Sequence, residues 1–215
     1  MRQTLILLLF LTITSKYLSA QESPFGNDGV YVSIQAGVNL DRMKTSGYQI
    51  DYLKFNNPAQ VYLSAVFDFE LTESFIVRTE VAYKPLHFHA VGSPYKGRLD
   101  EYELKVHSFI PQFVLLYRSP SLWKLRMYGG IGAGGMWSNV SKNTTTSHIN
   151  NTYTVYPNYL ELDGDNYVVT YNIGLMYGKR FDLCCKFWQI PWNKFDKVHQ
   201  ILTNRSITLS VGYRL

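Results

Sequence analysis

The sequence of 215 residues predicts an all-β protein that folds as an up-and-down antiparallel transmembrane β-barrel of about eight strands. The first observation is the final segment, 206–215, in which apolar and polar residues alternate without exception. The second is that similar segments recur along the chain and are joined by short and long connections in turn. The third is an aromatic content of 15%, with Tyr and Trp residues near the predicted strand ends, as in the interfacial girdles of membrane barrels.

Eight segments have the spacing of a strand with one apolar face, and they span residues 30–40, 59–71, 75–84, 102–117, 125–137, 167–178, 181–190 and 206–215. In the second segment only Val66 interrupts the polar face, and the polar turn 72–74 joins this segment to the third as a hairpin. In the fourth, Pro111 lacks a ladder donor and predicts a bulge or a change of register. The fifth is rich in glycine, which leaves room for longer side chains across the lumen or lets the strand bend. The seventh alternates least clearly.

The connections indicate which end of the barrel faces outward. They are long at 41–57, 86–101, 138–165 and 191–205, and short at 72–74, 118–124 and 179–180. Long external loops and short periplasmic turns are typical of bacterial outer-membrane barrels, and an even strand number places both termini in the periplasm. The Ser/Thr/Asn-rich run 138–154 is expected to be a mobile loop. Ten strands are the alternative, if 86–101 or 138–165 contains another hairpin.

The amino-terminal residues indicate export. Residues 1–20 have the basic start, apolar stretch and small-residue ending of a secretory signal, with cleavage expected before Gln21. Residues 21–215 then form one outer-membrane β-barrel domain. Without Arg2 and Lys16, 19 basic residues stand against 16 acidic ones, a net charge of +3 that does not predict a nucleic-acid surface.

Several local sequences are similar to the PorT-like outer-membrane β-barrel family of Bacteroides-type bacteria. They are the terminal segment 204–215, the glycine-rich segment 127–134, the Ile110-Pro111 step with 114–117, and the Ala20-Gln21 junction. The chain departs from that family at Leu215, where relatives commonly end in Phe, and in segment 184–192. The resemblance implies a small outer-membrane barrel, and the family's name-giving member implies a link to secretion machinery by analogy only.

The polar faces carry charges of both signs, which we expect to line the lumen. These inward residues are Asp68, Glu70, Arg78, Glu80, Lys84, Arg126 and Arg214. An eight-stranded barrel is filled by its own side chains, so acids and bases opposed across the lumen are expected to pair as a structural salt-bridge network. A proton relay or active site is the alternative.

The sequence predicts no catalytic residue, no cofactor and no metal site. His87 and His89 share one face but have no evident third ligand, so they are interpreted as solvated rim residues. His107 and Ser108 are adjacent in a strand and point to opposite faces, so they cannot form a catalytic pair. Cys184 and Cys185 are adjacent too, and are expected to be one lumen-facing and one lipid-facing thiol.

The predicted role is structural or partner-binding, with lipid, the barrel-assembly machinery and a larger envelope complex as the expected partners. The candidate partner-binding loop contains Tyr153, Tyr156, Tyr159 and Leu160. The candidate assembly strand presents Leu209, Val211, Tyr213 and Leu215 on its apolar face. A lipid-modifying outer-membrane enzyme and a small-solute channel are the alternatives.

Overall fold

The computed structural model describes residues 30–46, 54–93, 96–149, 152–157, 166–178, 180–195 and 200–215. Its strands are β1 (Val30–Ser46), β2 (Lys54–Asn56), β3 (Gln60–Glu70), β4 (Phe75–Gly92), β5 (Arg98–Arg118), β6 (Leu125–Ile149), β7 (Thr152–Pro157), β8 (Asn166–Tyr177), β9 (Phe181–Phe195) and β10 (Gln200–Arg214). The predicted signal peptide and its cleavage site lie outside the described residues. In the described part of the chain, no helix is long and apolar enough to cross a membrane.

Eight strands form a closed antiparallel barrel, which confirms the predicted fold class. The order is β1-β3-β4-β5-β6-β8-β9-β10, and β10 pairs with β1 to close the sheet. If the paired residues are followed once around the barrel from Arg42 of β1, the path returns to β1 at Val32. The strands are therefore staggered by ten residues around the barrel. A closed sheet of eight staggered strands has tilted strands and an interior just wide enough to be filled by side chains.

Wherever the structure describes the side chains of the barrel strands, they alternate between the lumen and the outer wall. On β10, Leu209 is 56% exposed on the wall, whereas Ser210 is 1% exposed in the lumen. The exposed apolar residues of the wall form a continuous apolar belt to which all eight strands contribute. The belt consists of Val30, Ile34, Val38, Leu40, Val61, Leu63, Phe75, Phe109, Phe113, Leu115, Tyr117, Leu125, Met127, Ile131, Tyr167, Tyr171, Ile173, Tyr177, Phe181, Leu183, Phe187, Ile207, Leu209, Val211 and Tyr213.

Aromatic pairs lie at the end of the belt near the short turns. The rings of Phe75 and Tyr117 and those of Phe181 and Tyr213 each meet edge to face with centroids 5.6 Å apart. Girdles of aromatic residues are typical of the boundary between a membrane and water. Trp123, in the turn beyond this edge, is 91% exposed.

More than half of each expected long loop lies in strands, so that prediction was wrong. Segment 41–57 contains the end of β1 and all of β2, and segment 191–205 contains the end of β9 and the start of β10. Residues 86–101 belong largely to β4 and β5, whose pairing continues to Gly92 and Asp100. The reason is that the alternation continues beyond the belt with a polar outer face: Leu86 and Phe88 point inward while His87 and His89 point outward. The apolar wall ends there, but the backbone pairing of the hairpin does not.

The Ser/Thr/Asn-rich run 138–154 is likewise not the expected loop. It forms the distal half of β6 and the start of β7, which pair from Thr144↔Pro157 to Ile149↔Thr152. Its β-branched threonines suit a strand as well as a loop. The barrel wall nevertheless keeps eight strands, since β7 pairs only with β6 and β2 only with β4 at the same end.

The fourth and seventh segments are more regular than the sequence suggested. Pro111 pairs with Val81, and the offset between β5 and β6 is unchanged on either side of it, so the expected register change was wrong. One missing N–H removes one ladder bond, which the flanking pairs tolerate. The irregularity lies instead between Lys105 and Val106. Strand β9 alternates regularly, with Cys184 buried and Cys185 on the wall, both free thiols, as predicted.

Candidate functional site

Three layers of buried ion pairs cross the lumen, and we call them the lumen network. The layer nearest the short turns is built on Arg78 of β4. Its Nε lies 2.7 Å from Asp68 Oδ1 on the neighbouring strand, and its Nη2 lies 2.9 Å from Asp182 Oδ2 across the lumen on β9. Arg214 Nη2 also contacts Asp68, at 2.9 Å. Two cations and two carboxylates therefore neutralise one another in this layer.

A tyrosine completes the same layer. The Tyr128 hydroxyl donates to Asp182 Oδ1 at 2.6 Å, and Gln35 Nε2 donates to Asp182 Oδ2 at 3.0 Å. Tyr128 fits because its cross-strand partner is Gly174: a Cβ at Gly174 would lie 2.2 Å from Tyr128 Cζ. The sequence assigned this space-making role to the glycines of the fifth segment, and here a glycine of β8 fills it.

The middle layer centres on Glu80 of β4 and Lys186 of β9. The Lys186 ammonium contacts the Glu80 carboxylate, the Tyr62 hydroxyl at 2.6 Å and Gln35 Oε1 at 2.9 Å. Tyr62 in turn donates to Glu80, and Gln112 Nε2 donates to Glu80 Oε2 at 2.9 Å. Each charged atom of the pair is thus surrounded by hydrogen-bond partners, as a buried ion pair requires.

The third layer lies toward the long connections. Lys84 Nζ contacts Asp41 Oδ1 at 2.6 Å, and Asn39 donates to the other oxygen of Asp41. Thr208 Oγ1 donates to Asn39 Oδ1 at 2.7 Å and accepts from the indole of Trp188 at 2.8 Å. Arg78, Glu80 and Lys84 follow one another on the inner face of β4, so this strand organises all three layers.

The lumen is closed at the level of the network. The side chains of Arg78, Glu80, Lys84, Lys186 and Tyr62 are all 0% exposed. A continuous water-filled path through these layers would give such side chains solvent contact, so the network blocks a path of that kind. The network holds four cations, Arg78, Lys84, Lys186 and Arg214, against four anions, Asp41, Asp68, Glu80 and Asp182.

Five of the seven sequence-predicted lumen charges join the network, and two do not. Glu70 is half-buried and pairs separately with Arg118, which also donates to the Glu73 carbonyl oxygen at 2.8 Å. Arg126 is half-buried at the start of β6 and takes part in none of these pairs.

Sequence reasoning missed three members of the network. Asp182 and Lys186 lie at alternate inner positions of β9, and their spacing is the signal that could have found them. Asp41 was missed because the first strand was expected to end at residue 40, whereas β1 continues to Ser46.

Above the network the lumen contains an apolar cluster. Phe88, Leu104 and Ile190 are buried in one cluster of side chains from β4, β5 and β9. On the outside of the same region, Glu103 contacts Lys142 Nζ at 2.5 Å and Lys105 Nζ at 2.9 Å. These hydrogen bonds hold the pKa of Glu103 at about 2, below its ordinary value of 4.5.

The histidine candidates lie on the outer face of the extended hairpin. His87 Nε2 is 3.3 Å from Glu103 Oε1, and His89 Nε2 is 2.7 Å from Glu101 Oε1. Within the described residues no group of three or more His, Cys, Asp or Glu side chains is arranged to hold a metal ion. His107 points outward to the Tyr83 hydroxyl, whereas Ser108 points inward to Ser138, so the two side chains do not meet.

The candidate binding loop is only partly within the described residues. Tyr153 and Tyr156 lie in β7, opposite His148 and Thr145 of β6. Tyr159 and Leu160 lie outside the described residues. In the candidate assembly strand, Leu209, Val211 and Tyr213 face outward in the apolar belt, and the exposed Leu215 donates its N–H to the Val32 carbonyl oxygen at 2.9 Å.

Comparison with family models and with curated proteins finds no match to this chain. Among solved structures, it is similar to OprG, an outer-membrane protein of Pseudomonas aeruginosa, at 13% identity and a TM-score of 0.48, covering 90% of this chain and 99% of that one. It is similar to Neisserial surface protein A at 12% identity and a TM-score of 0.47, covering 88% of this chain and 98% of that one. It is also similar to Ail, the attachment invasion locus protein of Yersinia pestis, at 15% identity and a TM-score of 0.43, covering 87% of this chain and 99% of that one. Similarity this distant assigns no role.

Proposed function

We propose that this chain is an integral outer-membrane protein of a Gram-negative bacterium, exported by the signal at 1–20 and inserted with both termini in the periplasm. The observation that carries the proposal is the apolar belt, which surrounds the barrel and ends where the outer face turns polar. In water such a continuous exposed surface would far exceed the patches of a few hundred Å² that soluble monomers tolerate. In a bilayer the same side chains contact lipid.

Its role is structural or partner-binding and does not involve catalysis. The closed lumen disfavours the small-solute channel, because Arg78, Glu80 and Lys186 fill the cross-section. The four carboxylates of the lumen network are each paired with a cation, which disfavours acid-base chemistry of a lipid-modifying enzyme at these four residues.

A partner surface is supported by the part of the barrel that rises beyond the belt. The hairpin β4–β5 and the distal half of β6 extend past Phe109, and their outer face carries Glu101, Glu103, Lys105 and Lys142. A paired sheet is a rigid platform, and such a platform presents side chains to a partner more reproducibly than a free loop. The PorT-like resemblance favours a subunit of an envelope or secretion complex as the specific role.

Membrane location is tested by fractionation and flotation. The tagged full-length chain is expressed in a Gram-negative host, and the outer membrane is separated from the inner membrane and the soluble fractions. We expect the folded protein in the outer membrane, and the purified protein to float with phosphatidylcholine vesicles. Recovery of a folded, soluble protein that does not float would contradict the proposal.

The partner role is tested by capture of the tagged protein from detergent-solubilised outer membranes of its own cells, followed by mass spectrometry. The proposal predicts that an envelope protein is captured with the barrel in stoichiometric amount. This protein should no longer be captured when Glu101 and Glu103 are replaced by Lys, and should still be captured when exposed Lys124 in the periplasmic turn is replaced by Glu. A clean monomer in every sample would contradict the partner role and leave the membrane location standing.

A further inference from the structure

Two arginines face each other on the outer wall at the edge of the apolar belt. Arg42 of β1 and Arg205 of β10 are direct cross-strand partners, and both are exposed. The next outward pair toward the other edge is Leu40↔Ile207, and both of its residues belong to the belt. The arginine pair therefore lies at the boundary between the apolar wall and the polar surface, on the side of the long connections.

Neither arginine is neutralised by a side chain in the part of the chain that the structure describes. Among the described residues, no carboxylate oxygen lies within 4.0 Å of either guanidinium group. The acidic neighbour, Asp41, points into the lumen, where its carboxylate contacts Lys84 Nζ at 2.6 Å. Directly opposed residues of an antiparallel pair have Cβ atoms about 4.5–5.5 Å apart, so like charges there are destabilising unless an anion lies between them.

A groove of about 500 Å³ opens on the wall at the same place. Its lining includes both arginines together with Leu40, Tyr171, Phe187 and Ile207. Asp41 also lines it, but its carboxylate is paired with Lys84. The groove thus combines a cationic end with an apolar floor continuous with the belt. A second wall groove, of about 440 Å³ and lined by Val77, Phe113 and Ile131 among others, has no charged residue in its lining.

We propose that the arginine groove binds a phosphorylated lipid of the outer leaflet, with the phosphate between Arg42 and Arg205 and an acyl chain along the groove. Guanidinium groups match phosphate oxygens with paired hydrogen bonds, and a phosphate removes the repulsion between the two arginines. The apolar floor selects a lipid over a soluble anion, since a free phosphate leaves Tyr171 and Phe187 uncovered. This inference rests on the proposed membrane location.

The test uses the purified full-length protein in phosphatidylcholine nanodiscs that contain a minor fraction of bisphosphorylated lipid A. Lipid retained by the protein is counted by native mass spectrometry. We expect one retained lipid A on the wild-type protein, and about a fivefold loss for Arg42→Gln or Arg205→Gln, as for one basic residue at an anionic membrane surface. Arg180→Gln, the same change in an exposed residue at the opposite end of the barrel, should retain lipid A fully.

Arg205→Glu separates loss of binding from loss of folding. This change pairs a carboxylate with Arg42, so it should abolish lipid A retention while the barrel unfolds at higher urea concentration in lipid-free detergent. Equal retention by the wild type and Arg42→Gln would overturn the inference, and so would full displacement of lipid A by millimolar inorganic phosphate. If the protein floats with phosphatidylcholine vesicles but shows no preference for lipid A, the inference fails and the membrane location stands. If it does not float, both fail.

Discussion

Replacement of Lys186 by Met tests whether the lumen network stabilises the barrel. The substitution keeps the length of the side chain but removes the ammonium group that contacts Glu80, Tyr62 and Gln35. Glu80, which is 0% exposed, then keeps only Tyr62 and Gln112 as donors. Removing one partner of a buried ion pair costs about 3–5 kcal/mol, so we expect the free energy of unfolding to fall by that amount.

The second half of this prediction concerns the double variant. Glu80→Gln alone leaves a buried cation and should cost a similar amount, so independent effects would sum to about 6–10 kcal/mol. With both charges removed, neither is left uncompensated, and Lys186→Met with Glu80→Gln should cost no more than either single change. Lys142→Met is the matched control, because it breaks a half-exposed pair with Glu103 and should cost less than about 1 kcal/mol.

The assay is equilibrium urea unfolding of the full chain in phosphatidylcholine vesicles, followed by tryptophan fluorescence and by the mobility shift of folded barrels on unheated gels. Two results would refute the reasoning. One is a Lys186→Met variant that is as stable as Lys142→Met. The other is a double variant whose loss equals the sum of the two single losses, because the two charges would then not act as a pair.

Three further predictions concern the belt, the extended hairpin and the glycines. Leu209→Arg places a charge in the belt at a cost of about 2–4 kcal/mol and should reduce insertion of the protein into vesicles. Leu99→Arg, outside the belt, should insert normally. Equal insertion of the two variants would contradict the position of the belt. Because the pKa of Glu103 is depressed, the stabilisation of the folded state by ionised Glu103 is complete above pH 4.5 and is lost as pH falls toward about 2. Glu103→Gln should therefore reduce the change of the urea unfolding midpoint with pH over this window; an unchanged pH dependence would rule out that stabilisation. Gly134→Ala should destabilise by about 1–3 kcal/mol because its Cβ would lie 2.2 Å from the Pro111 carbonyl oxygen, while Gly135→Ala meets nothing within 4 Å; equal urea midpoints would contradict the close approach of β5 and β6.

The alternation of residues was sufficient to predict the barrel. Segment 206–215 places its apolar residues outward as expected, and the segment around Ile173 does the same. What the sequence obscured is where a strand ends. The third segment is predicted to end at residue 84, just before the outer face of β4 changes to His87 and His89, but the strand continues to Gly92 because backbone pairing depends little on which side chains face outward.

The lumen network could be predicted only in outline. Asp68, Arg78 and Glu80 were recognisable as inward charges because their strands alternate cleanly. Their partners are separated by large distances in sequence, as from Arg78 to Asp182, and only barrel closure and the register of β9 bring them together. The arginine pair on the wall is hidden for the same reason: Arg42 and Arg205 become neighbours only because β10 closes the barrel against β1.

The central claim, that this barrel spans a bilayer with its apolar belt against lipid, is tested most directly by a spin-label scan of β10. Single cysteines are placed at 207–213 in a background with Cys184→Ser and Cys185→Ser, and each labelled protein is studied in phosphatidylcholine vesicles. The account predicts that labels at Leu209 and Val211 collide with oxygen and are shielded from a water-soluble nickel complex, while the label at Ser210 is shielded from both. Free access of the nickel complex to Leu209 and Val211, or equal oxygen access at all positions, would contradict it.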